Sequence, residues 1–162
     1  MGYTLGMASW TVLTPAAGVI LTVEATGAGV SRISFGKVDL PPGVRQASSW
    51  LDAAALQLEE YFGGRRKVFD LPLDLRGTEF QLSVWCALRQ IPFGETRTYA
   101  EVAHAIGSPR AVRAVGAANG SNPVPIIVPC HRVVASGGGL GGYGGGLDLK
   151  RKLLDLELCY NR

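Results

Sequence analysis

The stretch NPVPIIVPCHRVV, residues 122–134, sets a cysteine and a histidine side by side between apolar flanks. An ordinary cysteine has a pKa of about 8.5, so only a small fraction is thiolate at neutral pH. An imidazole beside it raises that fraction and accepts the proton, so Cys130 followed by His131 suits nucleophilic chemistry. The three prolines of the stretch bar it from a regular helix or a central strand. It must be a rigid extended segment or a series of turns. Neighbouring side chains of an extended chain point to opposite sides, so a turn at Pro129-Cys130 is required if the two groups are to cooperate. Taken alone, Cys130 is also compatible with a small buried hydrophobe. Cys86 and Cys159 have no base near them in sequence and read as structural or incidental thiols, and His104 reads as a surface histidine.

The elements that must position this pair follow from periodicity. WTVLT (10–14), GVILTVEA (18–25) and GVSRISF (29–35) alternate apolar and polar residues, with turns at 15–18 and 26–29, which predicts a small antiparallel meander. Residues 44–62 change to helical spacing, with Trp50, Ala54, Leu58 and Tyr61/Phe62 on one stripe, and Gly63-Gly64 ends that helix. KVFDLPLDL (67–75) reads as an extended segment suited to a sheet edge or linker. A second helical unit opens at Thr78 as N-cap and runs to Pro92 with Phe80, Val84, Ala87/Leu88 and Ile91 on its apolar face. Two short helices, 98–106 and 110–119, are separated by Gly107-Ser108-Pro109, a helix-turn-helix candidate or an ordinary helical hairpin. On the second of them Val112, Val115 and Asn119 can face inward, while Arg110, Arg113, Ala114 and Ala117 share another face. That lean face suits close, sequence-insensitive approach to a nucleic-acid backbone. SGGGLGGYGGG (136–146) lacks the pattern of a phosphate loop and reads as a loop needing positive φ or close backbone approach. The last helix, 147–158, has Leu149, Leu153, Leu154 and Leu156 for its core, and Glu157 alone would read as a solvated acid.

Bulk properties narrow the class. The 162 residues are 47% hydrophobic and 18% charged, enough for a core and against global disorder. Three widely spaced cysteines argue against a disulfide framework and for a reducing compartment. With two histidines and no CxxC or HxxxH pair, no zinc site is expected. MGYTLGMASW has neither a basic nor an apolar leader region, and no apolar run approaches a membrane span, so a cytoplasmic, metal-free protein is expected. Residues 1–77 hold seven basic and seven acidic side chains, so the net charge of +3 lies wholly in residues 78–162. Within 102–147 stand Arg110, Arg113 and Arg132 and no acid, a distribution that favours a polyanion.

FQLSVWCAL (80–88), IPFGETRTYAEVA (91–103), RAVGAANGSNPVPIIVPCHRVV (113–134) and GGLGGYGGGLDLKRKLLDLE (138–157) together resemble the O6-alkylguanine-DNA alkyltransferases, the methylated-DNA–protein-cysteine methyltransferases. The resemblance covers essentially all of residues 78–158; the first 77 match only in general form. It implies an α+β fold: a small ribonuclease-H-like antiparallel sheet plus helix over 1–77, then a mainly helical, winged helix-turn-helix-like DNA-binding and alkyl-acceptor domain over 78–162. It implies repair by irreversible, single-turnover transfer of an alkyl group from guanine O6, with O4-alkylthymine as a further substrate, to Cys130 without a cofactor. His131 is implied as the base acting through a water, Glu157 as its orienting acid and Asn122 as the brace of the turn. Tyr99 is implied to help rotate the target nucleotide and bind the extruded base, and Arg113 to fill the vacated place in the stack. Gln81, Ala100, Ser108 and Ser136 are implied to touch the DNA backbone, with Ala111, Ala114 and Gly116 on the minor-groove helix. Tyr99, Val133, Tyr143 and Gly144 are implied to line the base pocket; Gly144 replaces a serine of some relatives, and a backbone donor survives that change. The partner implied is double-stranded DNA carrying alkylated bases, bound by a monomer, with cooperative assembly on DNA left open and no membrane involved. Two other readings stand beside it: a thiol hydrolase acting on an acyl substrate, and a non-catalytic winged helix-turn-helix DNA binder.

Overall fold

Alternating side chains in the first part build a meander of β1 (Ser9–Ala16), β2 (Val19–Thr26) and β3 (Gly29–Phe35), antiparallel in the order β1-β2-β3. A computed structural model describes residues 9–39 and 48–161. Leu21, Val23 and Ala25 of β2 are buried, as are Val30 and Ile33 of β3, so the central strand carries most of the sheet's apolar face. β1 continues through Pro15 to Ala16 with a register irregularity after Leu13, so the turn is shorter than the sequence suggested. An irregularity of this kind is how a strand accommodates a proline that cannot donate to the ladder. α1 (Ser49–Phe62) packs on this sheet through Leu51, Ala54, Leu58 and Tyr61. The expected start of that helix at 44–47 lies outside the described residues. The proline-containing segment after it does run along the sheet edge. The Val30 amide donates to Pro72 O and the Asp74 amide to Val30 O, both at 2.9 Å.

The chain divides into two compact units, Met1–Leu75 and Arg76–Arg162. The second begins with a capping box at α2 (Glu79–Leu88), where Thr78 Oγ1 accepts from the Gln81 amide and Gln81 Oε1 accepts from the Thr78 amide. Such a cap is worth about 1 kcal/mol. The helix stops at Leu88, and a turn carries the chain through Ile91, earlier than expected because Pro92 biases the preceding backbone away from helix. A second capping box, Thr98 with Glu101, opens α3 (Tyr99–Ala105). After Gly107 at φ 71, α4 (Val112–Gly120) packs against both α2 and α3. The helix-turn-helix candidate is therefore a packed helix pair. Val115, Ala118 and Asn119 face its core, Val112 is half-buried, and Trp85 Nε1 donates to Ala118 O at 2.8 Å. Two residue pairs, Arg97–Val133 and Thr98–Val134, form the short parallel strands β4 (Arg97–Thr98) and β5 (Val133–Val134). α5 (Leu147–Tyr160) closes the unit.

Candidate active site

The proline-rich stretch folds as a series of turns braced by one carboxamide. Asn122 Nδ2 donates to Val128 O at 2.8 Å, and its Oδ1 accepts from the Val124 amide at 3.0 Å. Between them Ile126 is fully buried at φ 76, a conformation that costs a β-branched residue about 1–3 kcal/mol and persists only where the surroundings impose it. The chain then makes one 3₁₀ turn, Cys130–Arg132, in which the Arg132 amide donates to Pro129 O at 3.0 Å. Of the two forms open to this stretch in the sequence, a rigid extended segment or a series of turns, it takes the latter. The turn forms because Pro129 has no N–H with which to extend strand pairing, and the following amides fold back instead. Cys130 is 5% exposed, and burial pushes its thiol up to about 11. A hydrogen bond from Asn122, the charge of Lys150 and the amides of Cys130 and His131 all pull the other way. At neutral pH Cys130 is a protonated thiol, because burial disfavours its thiolate more than these groups favour it.

His131 points into the protein. Its Nε2 lies 2.6 Å from Glu157 Oε1, and both side chains are buried. Arg132 grips the same carboxylate with two donors, Nε to Oε2 at 2.9 Å and Nη2 to Oε1 at 3.0 Å, and Gly94 N donates to Oε2 at 3.0 Å. Four donors thus meet one carboxylate, about as many as its lone pairs accept. Burial raises the Glu157 carboxyl, but the bonds and charges of His131 and Arg132 outweigh it and hold the group at about 2. Burial also lowers His131 from its ordinary value, against the pull of Glu157, while Arg132 and Lys150 lower it further. The imidazole is neutral at pH 7. Since Glu157 is ionised and can only accept, the imidazole proton sits on Nε2 and Nδ1 is the basic nitrogen. Glu157 is therefore no solvated acid, and Arg132, which in the sequence counts among the cations of an acid-free stretch, neutralises its charge instead. Removing one member of such a buried pair costs about 3–5 kcal/mol. Arg132 Nη1 also donates to Ile91 O at 2.6 Å, tying the turn to the end of the α2 segment.

Three further elements stand near the turn. Tyr99, half-buried at the start of α3, lies between Gly116 of α4 and Gly141 of the loop. A Cβ on Gly116 would stand 3.9 Å from the Tyr99 ring, and one on Gly141 only 2.5 Å from its hydroxyl. Gly141 also has φ 71, so this position tolerates no side chain on either count. Burial and the neighbouring Cys130 raise the Tyr99 pKa; burial, Cys130 and Glu157 raise that of Tyr143 well above the ordinary tyrosine value. Tyr143 meets the His131 ring edge-on at 6.5 Å between centroids. Val133 is fully buried, and Gly144 is exposed in the loop. Gly141 and Lys150 went unnoticed in the sequence: the first was one glycine among many, the second a lysine in a charged run.

The residues expected at a nucleic-acid surface lie mostly outward. Arg110, Arg113 and Ala114 are exposed on or next to α4, as are Ala100 on α3 and Ser136 in the loop. Ala111 is the half-buried N-cap of α4, Ser108 is half-buried in the preceding turn, and its carbonyl accepts the Ala111 amide. Gln81 carries a structural load as well: Nε2 donates to Ser121 Oγ at 3.1 Å, joining the start of α2 to the end of α4. His104, Cys86 and Cys159 are all exposed. Among the described residues no group of three or more His, Cys, Asp or Glu side chains could hold a metal ion, and no helix is long and apolar enough to cross a membrane.

A buried protonated thiol followed in the chain by a carboxylate-held neutral imidazole, in a unit whose packed helix pair turns arginine and alanine outward, is the arrangement expected of a thiol acceptor that meets a polyanion. Residues 79–159 match the family described as 6-O-methylguanine DNA methyltransferase, DNA binding domain. The methylated-DNA–protein-cysteine methyltransferase of Methanosarcina acetivorans is 54% identical over 121 residues, 75% of this chain and 78% of that protein. The enzyme of the same name from Mycobacterium tuberculosis (strain ATCC 25618 / H37Rv) is 61% identical over 101 residues, 62% of this chain and 61% of that one. The crystal structure of Mycobacterium tuberculosis OGT in complex with DNA superposes with a TM-score of 0.83 at 44% identity, covering 94% of this chain and 93% of that one. The chain belongs to the 6-O-methylguanine DNA methyltransferase family, the methylated-DNA–protein-cysteine methyltransferases.

Proposed function

We propose that the protein repairs DNA by flipping an O6-alkylguanine out of the duplex and moving its alkyl group to Cys130, once per molecule. The observation that carries this reading is the buried Cys130–Arg132 turn, in which a free thiol is followed in the chain by a base held in one tautomer by Glu157, itself gripped by Arg132. In the reaction the sulfur attacks the alkyl carbon in line with the C–O6 bond; the S–C bond forms as C–O6 breaks, and the electron pair leaves on the guanine. The thiol proton passes to His131 Nδ1 through a water. The leaving base regains one proton, with the Tyr99 hydroxyl as its donor, so the exchange is neutral overall. The resulting thioether is stable, and no step returns the sulfur to thiol. The same displacement serves O4-alkylthymine.

The remaining residues take roles that fit their places. Asn122 holds the turn, and Val133, Tyr143 and Gly144 wall the base. Arg113 enters the stack where the nucleotide left, and Ala100, Ser108, Ala111, Ala114, Gly116, Gln81 and Ser136 lie along the backbone of DNA in the minor groove. The protein acts as a monomer, and residues 76–162 carry the reaction. Duplex DNA with a radiolabelled O6-methylguanine tests this: about one equivalent of label is expected on Cys130, and none on a Cys130→Ala variant. Label released into solution beyond one equivalent, as a thiol hydrolase would give, overturns the reading. So does binding without any label transfer, the outcome for a pure DNA binder.

A further inference from the structure

Lys150 is 0% exposed, an expensive place for a charge unless it is fully bonded. Its Nζ donates to three carbonyls: Val133 O at 2.6 Å, Gly142 O at 3.4 Å, and Leu140 O. Three acceptors call for three N–H donors, which an ammonium has and a neutral amine lacks. The acceptors come from two places that matter. Val133 follows the Cys130–Arg132 turn directly, and Leu140 and Gly142 flank Gly141, the glycine against which the Tyr99 hydroxyl packs. One side chain therefore fixes the distance between the strand after the nucleophile and the loop opposite the tyrosine. On α5, Lys150, Leu153 and Glu157 are the buried residues, spaced i, i+3 and i+7, so the helix brings one cation and one anion to the two sides of the same turn.

We propose that Lys150 is a positioning residue of the alkyl transfer: it clasps the glycine-rich loop over the pocket and holds a fixed positive charge beside Cys130. This rests on the alkyl-transfer reading above. The titratable groups that face the thiol are Tyr99 from α3, Tyr143 from the loop and Lys150 from α5. His131 and Arg132 belong to the turn itself, with Glu157 beyond them. Both tyrosines are neutral at pH 7, since burial and Cys130 raise them. Lys150 opposes the burial that raises the thiol, as the thiol opposes the burial that lowers the lysine.

Two substitutions separate clasp from charge. Lys150→Gln keeps donors for the carbonyls without the charge, and Lys150→Met removes both. Iodoacetamide alkylation of Cys130 across pH reads the thiol directly: the midpoint is expected to rise by about one unit in both variants, about tenfold less thiolate near neutrality. Benzylation by free benzylguanine reads the pocket: the concentration for half-maximal rate is expected to rise in Lys150→Met and less in Lys150→Gln. Midpoints equal to wild type in both variants overturn the charge, and equal half-maximal concentrations overturn the clasp. Should neither variant fold, ¹⁵N resonance of the Lys150 ammonium in the native protein decides. It must be protected from exchange and shift on benzylation of Cys130, and an unprotected or unmoved signal sinks the proposal. Failure of the wild-type protein itself to be benzylated would instead count against the alkyl-transfer reading, because the iodoacetamide titration does not depend on it.

Discussion

A thiol driven up to about 11 and an imidazole driven below its ordinary value are a matched pair. Between those two limits the cysteine keeps its proton and the histidine lacks one, which is the state from which a base-assisted attack begins. The signs give a pH profile. As pH falls through the lowered pKa of His131, the base is lost and transfer slows; since that pKa lies below 6.5, the rate stays level from there upward. Replacing the base with His131→Gln leaves only the spontaneous thiolate fraction. The rate should then climb about tenfold per pH unit until the thiol titrates near 11, and lie about 10²–10⁴-fold below wild type at pH 7. Single-turnover benzylation with benzylguanine from pH 6 to 9 measures both curves. A level profile in the variant would remove His131 from the proton path.

Elements decide which substrate reaches that pair. α4 shows two faces: Val115, Ala118 and Asn119 are packed inward, and Arg113 and Ala114 stand outward with little bulk around them. If Arg113 fills the gap left by a flipped nucleotide, it stabilises a state that exists only on duplex DNA. Arg113→Ala is expected to slow transfer from duplex O6-methylguanine by about 10²-fold or more, on the scale of the few kcal/mol that unstacking costs, and to leave the benzylguanine rate within about twofold. Equal losses on the two substrates would deny the residue that role. This face was legible in the sequence because arginine and alanine recur at helical spacing and depend on no distant partner. α5 was not. Its leucines suggested an apolar stripe, yet Leu149, Leu154 and Leu156 are only half-buried, while Lys150 and Glu157 are enclosed. The partners that make this possible, two loop carbonyls, one carbonyl of β5 and Arg132, lie 8 to 25 residues away in sequence, and no periodicity reports them. The same holds for Gly141 in the loop, where Tyr99 of α3 leaves no room for a Cβ. The proline at 15 misled for a related reason: a register irregularity let the strand pass through it.

For the whole molecule, the distribution of charge sets how binding responds to salt. The net charge of +3 falls in the part of the chain that carries the helix pair, and no acid interrupts residues 102–147. Yet the cations beside α4 are few. Arg132 is buried against Glu157 and Lys150 against backbone carbonyls, so neither meets a phosphate. Arg110 and Arg113 remain exposed beside the small residues of α4. Affinity for B-DNA falls with salt at a slope of about −0.9 for each phosphate neutralised. A face with so few outward cations, leaning on backbone amides and small side chains, predicts a shallow slope of about −2 to −4 in a plot of log affinity against log salt. Removing one phosphate contact with Arg110→Ala should flatten that slope by about one, uniformly across sequences. Fluorescence anisotropy with an unmodified duplex between 50 and 200 mM salt measures it. A slope near −8 or steeper would mean that cations beyond this helix face carry the binding, and that the lean surface of α4 is not where the backbone lies.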